Sequence, residues 1–243
     1  MARTPAVNRI RSVDTNPVVV PAHLLPRPLT DADRYAKCAV VVTELFSEHL
    51  AAGRPLHAKT TWVRFLPTDM DGPALFSDVP ATASLGLGEV HEVPYARKVL
   101  DRPDDQRRLA ILDWLREHML ALAAALSWDV TPIEDAYQAC RRDGCRYLRT
   151  GAAKSSPDRR RKAHAAYEID GDGAAWSWIV VTDRAGAVEA VSDRHDSPAA
   201  AREGRKVLRS VRWDGDAVTW TPWTDDIVPP GVGGTARFRS GRP

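Results

Sequence analysis

Cysteine is scarce in this chain: Cys38, Cys140 and Cys145 are the whole set in 243 residues. An odd number, two of them close together, excludes a disulfide framework and points to a reducing cytoplasm. Lysine is scarce as well, six residues against 28 arginines. Together with abundant alanine, this is the bias of a GC-rich, bacterial-like coding sequence, in which arginine fills solvated positions by default. No apolar run approaches the roughly 20 residues that span a bilayer, so no membrane partner is expected. Arg3, Arg9 and Arg11 are followed by no apolar stretch, so no signal peptide is expected either. Neither HExxH nor GxSxG occurs, which removes the two most legible hydrolytic signatures.

What remains is ordinary globular material, 44% apolar and 27% charged, long enough to bury a substantial core without staples. The pattern predicts an α+β fold, with helices packed on a small sheet and then a mainly antiparallel five-strand meander carrying one short helix. Residues 1–29, with five prolines, read as an extended or disordered arm in which Val18–Val20 could add a short edge strand. A helix-rich half is expected over 30–150, an antiparallel half over 151–226 and a flexible tail over 227–243.

In the first half, Thr30 is placed to cap a helix over 31–52, with Asp31 and Asp33 in its first turn. Strands are expected at 57–66 and 89–99, with Pro94 favouring an edge. The intervening loop 67–89 is long enough to suggest a functional role. Leu112, Leu115, Met119, Leu122 and Leu126 form the stripe of a helix over 104–127. Thr131-Pro132-Ile133-Glu134 has the spacing of a capping box opening a short third helix. In the second half, strands are expected at 162–169, 176–182, 187–192, 206–213 and 217–223, with a short helix near 197–204.

Charge is concentrated in one stretch. Residues 141–162 hold nine Arg or Lys against two Asp, a net +7 in a chain that is +2 overall. Five of the eight tryptophans, Trp176, Trp178, Trp213, Trp220 and Trp223, follow it. Cations bind phosphates and ring faces stack on bases, so this run is a candidate nucleic-acid surface. Within it, Arg159, Arg160, Arg161 and Lys162 form the most compact cluster. Against this, Trp176 and Trp178 share a strand face with Val180, Trp213 with Val211 and Trp220 with Val218, which is how core residues are arranged.

Three further motifs could carry chemistry. Asp170-Gly171-Asp172-Gly173 lacks the later oxygen ligands of a calcium loop and reads as a hairpin turn. Cys140 and Cys145 lack the spacing and the second pair of a zinc site, and Cys140 falls on an apolar helix face. Asp69-Met70-Asp71-Gly72 resembles the first motif of haloacid-dehalogenase-like phosphotransferases over those four residues. That resemblance implies Asp69 as nucleophile and Asp71 as acid/base beside magnesium. Pro67 interrupts the apolar strand expected before that motif, and a polar, glycine-stopped loop accounts for the same residues. No cofactor or metal is otherwise implied. The leading functional expectation is a binding or accessory protein without catalysis, recognising another protein or a small ligand. Nucleic-acid binding through the basic run, and metal-dependent phosphoryl or hydrolytic chemistry at Asp69 and Asp71, are the alternatives.

Overall fold

The computed structural model describes residues 8–16, 27–72, 74, 76, 88–223 and 234–239. The fold is α+β. Its described residues divide into two compact units, one reaching Arg146 and the other starting at Tyr147. No helix is long and apolar enough to cross a membrane among the described residues.

The first unit is built on a parallel sheet. Residues 8–14, within the stretch read as an arm, supply β1 (Asn8–Arg9) and β2 (Ser12–Asp14). Ile10 and Val13 are fully or almost fully buried, so this segment is part of the core. The expected Val18–Val20 strand lies outside the described residues. Helix α1 (Asp31–Ala52) follows, then β3 (His57–Ala58), β4 (Trp62–Thr68) and β5 (Glu89–Pro94). β1 pairs with β3, and the parallel sheet has the order β2-β4-β5. Among the described residues β5 is therefore an edge strand, where its terminal Pro94 is tolerated. The expected interruption at Pro67 does not occur. β2 pairs only with Trp62–Arg64, so among the described residues that edge of β4 is open at Pro67 and the missing N–H breaks no ladder bond.

Local chemistry fixes α1. Thr30 Oγ1 accepts from the Asp33 amide at 3.1 Å, and the Asp33 carboxylate accepts from the Thr30 amide at 2.8 Å, closing a capping box. Ser47 stitches α1 to β2, accepting from the Val13 amide at 2.9 Å and donating to its carbonyl at 3.1 Å. At the far end, the Arg9 guanidinium donates to the carbonyls of Leu50, Ala51 and Gly53, which the helix leaves without partners.

Helices α2 (Asp104–Leu126) and α3 (Thr131–Arg142) complete the unit. Ile111, Leu112, Leu115, Met119 and Leu122 of α2 are fully buried, continuing the stripe seen in sequence. The capping box at Thr131 does not form. Instead the Asp129 carboxylate accepts from the Thr131 amide and hydroxyl, and Glu134 receives a forked bond from Arg116 of α2 at 2.6–3.1 Å.

The second unit is antiparallel. β6 (Tyr147–Thr150), β7 (Lys154–Ser155), β8 (Arg161–Ile169), β9 (Ala175–Asp183), β10 (Val188–Val191) and β11 (His195–Ser197) form one sheet in the path β10-β9-β8-β6, with β7 on β8 and β11 on β9. The Asp170 turn joins β8 to β9, its carboxylate accepting from the Asp172 and Ala174 amides and from Trp176 Nε1. Helix α4 (Ala201–Arg209) follows, so the strand expected at 206–213 is corrected: only β12 (Arg212–Asp214) is extended there. β12, β13 (Ala217–Trp220) and β14 (Ala236–Arg239) form a second sheet. Within the stretch expected to be a flexible tail, the described Ala236 and Phe238 of β14 pack on the core cluster of Ala165, Ile179, Val181, Val207, Val218 and Trp220.

Candidate anion-binding cleft

The start of the basic run is built into the first unit. α3 ends at Arg142, Gly144 and Cys145 both take left-handed conformations, and the chain turns back at Arg146. Glycine adopts that geometry without penalty. The non-glycine Cys145 is held there by its amide bonding to the Cys140 carbonyl at 2.9 Å. This turn faces the first turns of α2, and the two border an open surface cleft of about 540 Å³ lined by Arg108, Arg141, Arg142, Arg146, Asp105 and Asp143, with Leu109 and Gly144.

Four guanidinium groups thus meet two carboxylates. One of those carboxylates is engaged from outside, by His49 Nε2 of α1 at 2.9 Å from Asp143. Arg141 donates to the Tyr137 hydroxyl at 3.0 Å, which in turn donates to Asp113 at 2.8 Å, fixing where its guanidinium lies. Arg142 and Arg146 are exposed and form no ion pair with any described residue. Arg108 differs from all three. It is 7% exposed, and although it pairs with Asp104 its buried Nε has no hydrogen-bond acceptor. Burying a cation with an unfilled donor costs free energy, which the pair with Asp104 offsets in part.

A guanidinium presents donors in a planar fork that fits phosphate or carboxylate oxygens, and several in one cleft can surround a single anion. Arg141 and Arg142 also lie at the negative end of α3, which they stabilise whether or not an anion is bound. Cys140 and Cys145 behind the turn are buried free thiols, both with pKa raised chiefly by that burial, Cys145 to about 11. They are packing groups, not thiolates.

The other sequence candidates are placed differently. Asp69 and Asp71 lie exposed in the turn just after β4, at the carboxyl end of a central parallel strand, where open α/β sheets hold their ligands. Tyr95, just after β5, is pushed up to about 12 by burial and then by the neighbouring Asp69 carboxylate. No group of three or more His, Cys, Asp or Glu is arranged to hold a metal ion among the described residues. Most of the loop expected to be functional, at 73, 75 and 77–87, lies outside them.

Arg159, Arg160, Arg161 and Lys162 do not act as one surface. Arg159 and Arg160 are exposed in the β7–β8 turn, where Asp158 accepts from the Arg160 amide. Arg161 lies over the Trp213 ring, 5.3 Å from its centroid, and Lys162, next on the strand, faces the opposite side. The tryptophans divide too. Trp220 is buried as its pattern suggests, but Trp176, Trp178 and Val180 are only half-buried, on the sheet face away from the core. Arg194 covers Trp178 at 4.4 Å and pairs with Glu168 at 2.7 Å.

The residue that sequence reading missed is Arg108. It sits three and four positions before Ile111 and Leu112, so it extends the buried stripe of α2 by one turn, a signal that apolar counting passes over. Comparison with protein-family models, with curated proteins and with solved structures gave no match to this chain.

Proposed function

We propose that this chain is a binding protein without catalysis of its own, and that its ligand is a small phosphate-bearing anion held by Arg108, Arg141, Arg142 and Arg146. The observation that carries this reading is the gathering of Arg108, Arg141, Arg142 and Arg146 around one cleft, two of them without an ion pair to any described residue. A phosphate in the cleft offers acceptors to the exposed guanidinium groups of Arg142 and Arg146, and its charge offsets the surplus of cations. Dispersal of Arg159–Lys162 over a turn tip and two strand faces favours this compact site over a nucleic-acid track.

The test is calorimetric titration with inorganic phosphate and pyrophosphate at fixed ionic strength, with a single-stranded oligonucleotide in parallel. Phosphate or pyrophosphate binds the native chain. Arg142→Ala and Arg146→Ala, both exposed, each weaken binding about tenfold, the worth of one charge-assisted hydrogen bond. Absence of phosphate and pyrophosphate binding, or affinities unchanged in the double variant, refutes the reading. An oligonucleotide that binds while neither anion does transfers the function to the nucleic-acid alternative.

A further inference from the structure

Strand β10 has one partner. It pairs with β9, and no strand joins its other edge among the described residues. Val188 and Val191 on it are 62% and 53% exposed. An unpaired edge carries free amide and carbonyl groups that template another strand, and proteins commonly blunt it with lysine, proline, a bulge or a very short strand. β10 is a four-residue strand with a bulge but has no lysine or proline, and its single charge is Glu189.

The register makes this edge self-complementary. Val188 lies opposite Thr182 and Val191 opposite Val180, while Ala190 faces Val181, so Glu189 is the extra residue of a bulge. The bulge turns both valines to the same outer face, beside Val180, and leaves Ala190 packed on the core. Two copies aligned antiparallel about the centre of this strand set each Val188 against the other copy's Val191. Each Glu189 then meets an Ala190 and not a second Glu189. The flanks are complementary in charge: Arg184 lies in the turn before β10 and Asp193 just after it, both exposed and without an ion-pair partner among the described residues. Continued beyond the strand, the same alignment sets Asp193 of each copy opposite Gly186 of the other, two residues from its Arg184, twice per pair.

We infer that β10 is the interface of a homodimer, in which two copies pair edge to edge about a twofold axis and continue one sheet across both chains. An isologous contact of this kind uses each favourable pair twice. The inference is independent of the anion cleft, which uses no residue of this strand.

Analytical ultracentrifugation across a concentration series tests it, read against the monomer mass of 26.8 kDa. The native chain sediments as a concentration-dependent dimer. Val188→Lys and Val191→Lys each remove two cross-strand pairs and raise the dimer Kd about tenfold. Both positions are exposed, so circular dichroism and thermal melts stay close to native. Arg184→Asp and Asp193→Arg singly weaken the dimer, and the double exchange restores it. A native chain that stays monomeric at all concentrations overturns the inference. So does a dimer indifferent to both lysines, and so does a double exchange no tighter than either single variant.

Discussion

At the residue scale, the N-terminus of α1 shows how few groups set a helix start. Thr30 and Asp33 satisfy each other's amides, and Arg27 reaches Asp33 at 2.6 Å. The Arg27 hydrogen bond, helped by the bonds from Thr30, lowers the Asp33 pKa to about 2 against the opposing effect of burial. A depressed carboxylate pKa adds stability that is complete above the unfolded value near 3.8 and is lost as pH falls toward 2. Solvent screening at this helix end holds that contribution to about 1 kcal/mol or less. Thr30→Ala therefore costs about 1 kcal/mol at neutral pH through the lost cap. Asp33→Asn flattens the stability profile between pH 4 and pH 2, where the native carboxylate takes up its proton. Urea melts at stepped pH check both. A native-like acid limb in Asp33→Asn would assign the acid loss to other groups.

At the scale of elements, the sequence carried spacing more faithfully than direction or identity. The α1 and α2 stripes were legible because long 3.6-residue periods admit one reading. The strand expected at 206–213 was not, because Val207 and Val211 stand four residues apart, a spacing that fits a helix turn and two strand repeats equally. Tertiary packing decides it: both valines are fully buried, and Gly204 lets α4 approach β8 until the Tyr167 ring touches its backbone. Strand direction was equally hidden, since β4 and β5 alternate in the same way whether they run parallel or antiparallel. β14 was masked by its own arginines, which flank the one packed ring, Phe238. The close approach at Gly204 gives a sharp test. A Cβ there would lie 2.5 Å from the Tyr167 ring, and Tyr167 is itself held by its hydroxyl donating to the Pro198 carbonyl at 2.5 Å. Gly204→Ala must therefore displace the helix or the ring, at a cost of about 1–3 kcal/mol despite alanine's better helix propensity. A thermal melt showing equal or greater stability would mean that α4 does not sit on Tyr167.

At the scale of the whole molecule, the +7 stretch that dominates the sequence is divided between the two units. Arg141, Arg142 and Arg146 belong to the parallel α/β unit, and everything from Arg149 onward belongs to the antiparallel one. Net charge along a run says nothing about convergence in space. Convergence came from Arg108, 33 positions before Arg141 and on a different helix. Because every residue of the cleft lies in the first unit, its chemistry should survive damage to the core of the second. Ile179 is fully buried in that second core, and Ile179→Ala leaves a cavity costing about 2–4 kcal/mol. Scanning calorimetry should register this as a lowered transition. On the proposed function, phosphate titration well below that transition should give an affinity within about twofold of native, under 0.5 kcal/mol, because none of the arginines proposed to hold the anion has changed. Ligand linkage adds the converse: phosphate raises the stability of the unit that binds it and leaves that of the other unchanged, so saturating phosphate should not recover the transition lowered by Ile179→Ala. If affinity falls in step with the stability of the second core, the anion site is not confined to the arginines of α2, α3 and the turn at Gly144.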